Sequence, residues 1–392
     1  MLKPFGRPVH ALRNLIGTLT FALLMVGGAP AFASFQGNLD PAVDLLARPA
    51  PTTAHGENKR LIALANFSQR IVAVGEMGLV IYSDDAGQTW QQAVSPTSVM
   101  LTAVAAVDAT HGWAVGHDGV ILSTQDAGAT WALRFDGYAA NNLMLSSAKA
   151  QVEWAAKASD EPEEVERAQD AAKERLADAE AAEQAGPSQP LFGIAFINTQ
   201  HGFAIGAFGQ IFETRDGGTS WAFIGDRLDD PEGLHLNAIS KGRNGELFIA
   251  AEAGALFISR DAGGSWRRVN LDYEGHIYGV FELTADTLVA YGFGGHLFVS
   301  SDRGERWRSV HSPTGKAIVD AMLQADGTAL LVDQDGQLIV SHDNGRSFQA
   351  LRHSSSLTRV SAMSASTGWA TLFLVGANGI KRQALTFGMA DR

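Results

Sequence analysis

Residues 79–90 read Leu79-Val80-Ile81-Tyr82-Ser83-Asp84-Asp85-Ala86-Gly87-Gln88-Thr89-Trp90, a short apolar run that ends in Ser-x-Asp-x-Gly-x-x-Trp. The same frame returns at Thr124, Asp126, Gly128 and Trp131, at Thr214, Asp216, Gly218 and Trp221, at Ser259, Asp261, Gly263 and Trp266, and at Ser300, Asp302, Gly304 and Trp307. A sixth copy, Ser341, Asp343, Gly345 and Phe348, exchanges the last Trp for Phe. The aspartates are 41, 90, 45, 41 and 41 residues apart, so one gap carries about one unit more than the rest. A period near forty, with several short strands per unit, marks a β-propeller blade.

Each unit reads as a four-stranded meander. In the first, residues 61–64, 71–74 and 79–82 are short apolar or β-branched runs between turn residues, and Trp90 opens a fourth strand. Equivalent runs begin near Leu101, Leu191, Leu236, Ile277, Ile318 and Leu357, which makes seven units, the last without the aspartate motif. The motif suits the hairpin between the third and fourth strands: Asp and Ser/Thr side chains satisfy turn backbone groups, Gly takes a φ that other residues resist, and Trp packs on the turn. Six equivalent copies do not make one asymmetric active site, so these residues read as structural. A second repeat, Gly-x-x-Gly, joins strands two and three, as in Gly75-Glu76-Met77-Gly78, Gly116-His117-Asp118-Gly119, Gly206-Ala207-Phe208-Gly209 and Gly292-Phe293-Gly294-Gly295. These glycines join two strands and open no helix, which excludes a phosphate loop.

The N-terminus is a separate unit. Lys3, Arg7 and Arg13 precede an apolar stretch at 15–26 and the small-x-small triplet Ala31-Phe32-Ala33, the pattern of a secretory signal peptide cut before Ser34. There is no Cys, which rules out disulfides, thiolate metal sites and a lipidated Cys. The remaining composition, 46% hydrophobic with 42 Gly and 12 Pro, is that of a turn-rich globular chain. A net charge of -12 argues against nucleic acid, whose phosphates need clustered Lys and Arg.

Between the second and third units the β pattern stops. Leu145, Ala148, Val152 and Ala155, then Val165, Ala168, Ala172, Leu176 and Ala179, recur at three- and four-residue spacing, which predicts two amphipathic helices. Asp160, Glu163 and Pro162 form a capping signature for the second helix, and Gly186-Pro187 ends it. From 160 to 183 there are ten Asp/Glu against Arg167, Lys173 and Arg175. Such a run is either a solvated face or a docking element, and its exit from the Gly-x-x-Gly face favours docking.

With its repeated boxes, its Gly-x-x-Gly turns, and phrases such as His111-Gly112-Trp113-Ala114-Val115-Gly116 and His201-Gly202-Phe203-Ala204-Ile205-Gly206, the chain resembles the Asp-box (BNR-repeat) propellers. Among them it resembles in particular the photosystem II stability and assembly factor family, with its relatives in non-photosynthetic bacteria, over about residues 60 to 386 apart from the insertion. The resemblance implies a periplasmic or lumenal accessory protein that assists assembly of a membrane complex. The alternative is a glycan-binding or sialidase-like Asp-box propeller, but the Phe/Tyr-Arg-Ile-Pro segment usual in sialidases is missing after residue 33.

The expectation is therefore an all-β, seven-bladed propeller with an inserted helical hairpin. Its parts are a leader (1–33), an N-terminal segment (34–60), blades 1 and 2 (61–138), the hairpin (139–187), blades 3 to 7 (188–386) and a tail (387–392). The unit from 357 shows three strands, so residues 43–47 are expected to supply its fourth and close the ring. The function expected is a non-catalytic interaction scaffold with a protein partner, a membrane complex, and with no cofactor, metal or catalytic residue. Exposed turn residues Met77, His117, Phe208 and Phe293, together with Glu163, Glu166, Asp170 and Glu174 of the second helix, are the candidate partner contacts.

Overall fold

The computed structural model describes residues 44–156, 162–187, 189–351, 359–366, 368 and 371–384. The leader and the Asp160 cap lie outside them. Among the described residues seven antiparallel sheets follow one another along the chain, six with four strands and the last with three. Blades 1 to 7 span 61–92, 101–135, 191–223, 236–270, 277–310, 318–350 and 360–384. Helices α1 (Gly137–Ala155) and α2 (Pro162–Ala185) stand between blades 2 and 3.

The second strand of each blade, and the third in blades 1 to 6, is buried on both faces, so these read as largely apolar runs, as in Arg70–Gly75 and Leu247–Ala251. Their side chains fill the wedges between neighbouring blades: Phe203, Ile205 and Phe257 share one cluster, and Leu256, Ile258 and Ala290 another. The first strand of each blade begins with a bulge that skips Ile62, Thr102, Asn237, Tyr278, Val319 or Ser361, with an equivalent irregularity opposite Phe192. A bulge re-aims a side chain. Here Thr102 donates to Leu191 O (2.6 Å) and Asn237 to Ile277 O (2.9 Å), each binding one innermost strand to the next.

The boxes fold as tight, self-satisfied turns. In the first, the Gly87 N–H donates to Ser83 Oγ (2.8 Å), the Ser83 hydroxyl donates to Asp85 Oδ1 (2.8 Å), and the N–H and hydroxyl of Thr89 donate to Asp85 Oδ1 and Oδ2 (2.8 and 2.6 Å). Those donors, the Thr89 hydroxyl first, hold the Asp85 carboxyl down at about 2. Asp126, Asp216, Asp261 and Asp343 bond a Thr or Ser in the same way, and Asp302 bonds Arg306. Box glycines also meet the preceding blade: Gly263 has φ 84°, and a Cβ there would lie 2.2 Å from the Phe203 ring. Arg227, Arg267 and Arg308 reach one blade forward to the carbonyls of Gly263, Gly304 and Gly345 (3.2, 3.0 and 3.2 Å). Asp261→Ala is expected to lower stability by about 1 kcal/mol, the low end for a lost hydrogen-bond acceptor because Ser265 is exposed to water. Thermal melting checks this, and an unchanged midpoint would remove the box from the stabilising features.

Residues 44–50 correct the expected closing strand. They form no strand and rest on the link between blades 1 and 2, where Ser98 N–H donates to Leu45 O (2.8 Å) and Ala50 N–H to Ser95 O (3.1 Å). Within the described residues the seam is bridged where Asn66 donates to Ala365 O (2.7 Å), Ser364 donates back to Asn66 (3.0 Å), Phe373 packs on Gly87, and the backbone of Glu57 and Asn58 lies against Gly379.

At the junction of blades 6 and 7, Asp320 stands where other blades have Ala or Gly, and it accepts the N–H groups of Ala321 and Met363 (2.8 Å each). Burial outweighs those bonds and pushes its carboxyl from 3.8 up to about 6. With the folded value above the unfolded one, this group's stabilising contribution is complete below about pH 4 and is lost as pH rises through 6. The melting midpoint of the wild type relative to Asp320→Asn should therefore fall between pH 4 and 7. A difference constant across that range would contradict it.

Candidate docking face

The meander puts two kinds of turn on opposite faces. The boxes and the links from strand one to strand two share one face, while the Gly-x-x-Gly turns and the links between blades share the other. On the second face one bond recurs: the residue after the first turn glycine donates its N–H to the residue just before the blade's first strand. Examples are Glu76 to Arg60 O (3.1 Å), His117 to Met100 O (2.9 Å) and Phe293 to His276 O (3.0 Å). This ties the turns to the rim of the central channel.

Met77 and Phe208 occupy the third turn position with φ of 52° and 55°, a left-handed conformation disfavoured for residues with a Cβ. Both are exposed, by 50% and 61%, and Phe293 by 58%. His117 is half-buried, so of the four turn candidates three present apolar surface and one does not stand clear. Leu45 and Tyr138 add two further exposed apolar side chains near this face. Leu45 is held by the link between blades 1 and 2, and Tyr138 follows Gly137, which packs on the Asp118 carbonyl of the blade 2 turn.

The hairpin grows from the same place. Asp136 caps α1 by accepting the Ala139 N–H (2.9 Å), and Ala140, Leu143 and Met144 pack with Phe135, Phe212 and Phe223 of blades 2 and 3. Buried Asn141 donates to Ala182 O and Gly186 O (3.0 and 3.1 Å), which fixes the end of α2 against the start of α1. Glu163, Glu166, Asp170 and Glu174 follow each other at helical spacing and are all exposed. Arg167 and Lys173 pair with Glu163 and Asp170 at 3.8 and 3.2 Å. Trp154, farther along α1, is 68% exposed.

Sequence reasoning missed the neighbours of Phe208. His235, Glu252 and His276 lie on the rim of blades 4 and 5, and Phe208 meets the His235 ring edge-on at 4.7 Å. The blade 4 turn reads Ala251-Glu252-Ala253-Gly254, so a search for two glycines passes over it. Its place in the forty-residue register would have found it. Among the described residues no group of three or more His, Asp or Glu is arranged to hold a metal ion, and no helix is long and apolar enough to cross a membrane.

A family model described as photosynthesis system II assembly factor YCF48 matches residues 183–380, just over half of the chain. The chain belongs to this family. A BNR/Asp-box repeat model also matches residues 81–92, the stretch that set the repeat. The photosystem II assembly lipoprotein Ycf48 of Synechococcus sp. (strain CC9902) is 38% identical over 80 residues, 20% of this chain and 23% of that protein's length. A solved structure titled YCF48 bound to D1 peptide is similar in fold, with TM-score 0.58 and 16% identity over 84% of this chain and 94% of that one. YCF48 from Cyanidioschyzon merolae gives TM-score 0.59 and 15% identity over 86% and 98%. Family membership favours the assembly-factor reading over the sialidase-like one.

Proposed function

We propose that this protein is a non-catalytic scaffold, exported from the cytoplasm, that assists assembly or stability of a membrane protein complex, and that it grips its partner with the Gly-x-x-Gly face and the helical hairpin. The observation that carries this reading is the exposure of Met77, Phe208 and Phe293 on turns of one face, with exposed Leu45 and Tyr138 near it. Met77 and Phe208 stay there in a backbone conformation that glycine would adopt more easily. Family membership and the relative bound to a peptide support a protein partner. The leader at 1–33 and a relative named as a lipoprotein support export. The six box carboxylates are occupied within their own turns, which supports a structural role for them.

Affinity purification of the full chain from solubilised membranes tests the reading. Integral membrane proteins and subunits of one complex should be recovered. Recovery of soluble proteins alone, or turnover of a glycoside by the purified chain, would overturn it.

A further inference from the structure

The docking face contains a notch of definite chemistry, and the inference drawn from it rests on the scaffold reading above. Glu252 lies between two imidazoles, with Oε1 3.6 Å from His235 Nδ1 and Oε2 3.9 Å from His276 Nδ1, both beyond hydrogen-bonding distance. His235 Nδ1 accepts the Phe208 N–H (3.3 Å), so in that contact Nδ1 offers its lone pair. Oε1 accepts the His235 N–H (2.8 Å), while no described residue donates to Oε2. Two other shielded glutamates are treated differently: Glu213 is paired with Arg227 and Arg215, and Glu282 with Arg243. Glu252 is half-buried and has no such cation.

A second carboxylate deepens the negative potential. Asp230 Oδ2 is 3.1 Å from where a Cβ on Gly209, next to Phe208, would stand, and both its oxygens accept the Leu234 N–H (3.2 and 2.9 Å). Burial first, and the charges of Glu232 and Glu252 after it, hold its carboxyl above the usual range. Arg268, whose charge reaches Asp230, is itself bonded to Glu232 (2.7 Å) and the Asp229 carbonyl (3.1 Å). Phe208 supplies an aromatic face at the edge of the same notch, a surface that attracts cations.

We propose that the notch between Phe208, Asp230, Glu252 and the two histidines receives a lysine or arginine side chain from an extended segment of the partner, with apolar residues of that segment resting on Phe208 and Phe293. The chemistry selects a basic segment: two carboxylates lacking a dedicated cation, an aromatic ring, and a chain of net charge -12 whose hairpin carries the same sign. An acidic segment would meet like charge at each of these points.

The test uses the full chain and two labelled twelve-residue peptides, one alternating Arg with Leu and one alternating Glu with Leu, with binding read by fluorescence anisotropy. The Arg peptide should bind and the Glu peptide should not. Glu252→Gln keeps an acceptor for the His235 N–H and removes only the charge, so its melting midpoint should match the wild type while affinity for the Arg peptide falls at least tenfold. His276→Glu adds a carboxylate beside Glu252 and should tighten the Arg peptide at least threefold, which keeps the question open to measurement if Glu252→Gln folds poorly. Equal affinity of wild type and Glu252→Gln, no gain in His276→Glu, or equal binding of both peptides would each overturn the proposal. If membrane partners are recovered normally from Glu252→Gln, the notch assignment fails and the scaffold reading stands. If none are recovered even from the wild type, it is the scaffold reading that fails.

Discussion

Phe208→Gly should melt at the same temperature as the wild type or slightly above it, while recovery of the membrane partner drops at least tenfold. Most aromatic substitutions in a folded domain cost stability, so the opposing directions are the informative part. Phe208 has φ 55°, where the Cβ of an L residue costs roughly 1–2 kcal/mol and glycine incurs no such cost. The ring is 61% exposed, and its chief contact is the edge of His235, so little burial is lost to offset that relief. Binding should respond differently, because aromatic anchors that become buried in an interface commonly contribute about 2 kcal/mol or more, and about 1.4 kcal/mol is already tenfold. Met77→Gly, at φ 52°, should show the same pair of directions with a smaller loss of binding. Melting by circular dichroism and co-purification from membranes measure the two effects. A Phe208→Gly protein that melts normally and still recovers its partner would remove this face from the interface.

The division of labour between sequence and structure follows from periodicity. Five of the six later first strands begin at the residue where the apolar run begins, Leu101, Leu191, Leu236, Ile277 and Ile318, because burial between blades leaves little freedom in register. The box was equally legible, since the hydrogen bonds of its Ser/Thr and Asp side chains fall within seven residues. Contacts between distant segments were not. The expectation that residues 43–47 would complete the seventh blade rested on the need to cover a sheet edge, and described residues 44–50 instead follow their hydrogen-bonding groups to Ser95 and Ser98. The His235–Glu252–His276 notch escaped for a related reason: its members come from two links and a turn on adjacent blades, and only the ring brings them together. The arginines that bond the next blade's box glycine look like ordinary surface charge in the sequence, and only the structure gives Arg227, Arg267 and Arg308 a shared role.

Truncating the helical hairpin at its outer half is expected to leave the propeller intact and abolish partner recovery. The cut must respect the base, where Ala140, Leu145 and Ala148 are buried and Asn141 bonds the end of α2, so removing everything from 141 would expose Phe135 and Phe223. Gln151 and Arg175 face each other across the two helices at 3.3 Å, which marks a level at which a short Gly/Ser loop can rejoin them. Replacing 151–175 removes Trp154, eight carboxylates including Glu163, Glu166, Asp170 and Glu174, and four basic side chains. Blades contact mainly their neighbours, and this segment's buried residues, Ala155 and Ala172, belong to the hairpin itself, so the melting midpoint should stay close to that of the full chain. Association should suffer twice, through loss of an exposed tryptophan able to anchor in a pocket and through loss of the negative charge that draws a basic partner toward the face. The charge component can be isolated: restoring Trp154 on a hairpin with Glu163, Glu166, Asp170 and Glu174 changed to Gln should return part of the binding and flatten its dependence on salt. Full partner recovery by the truncated, folded protein would confine the interface to the turns of the ring.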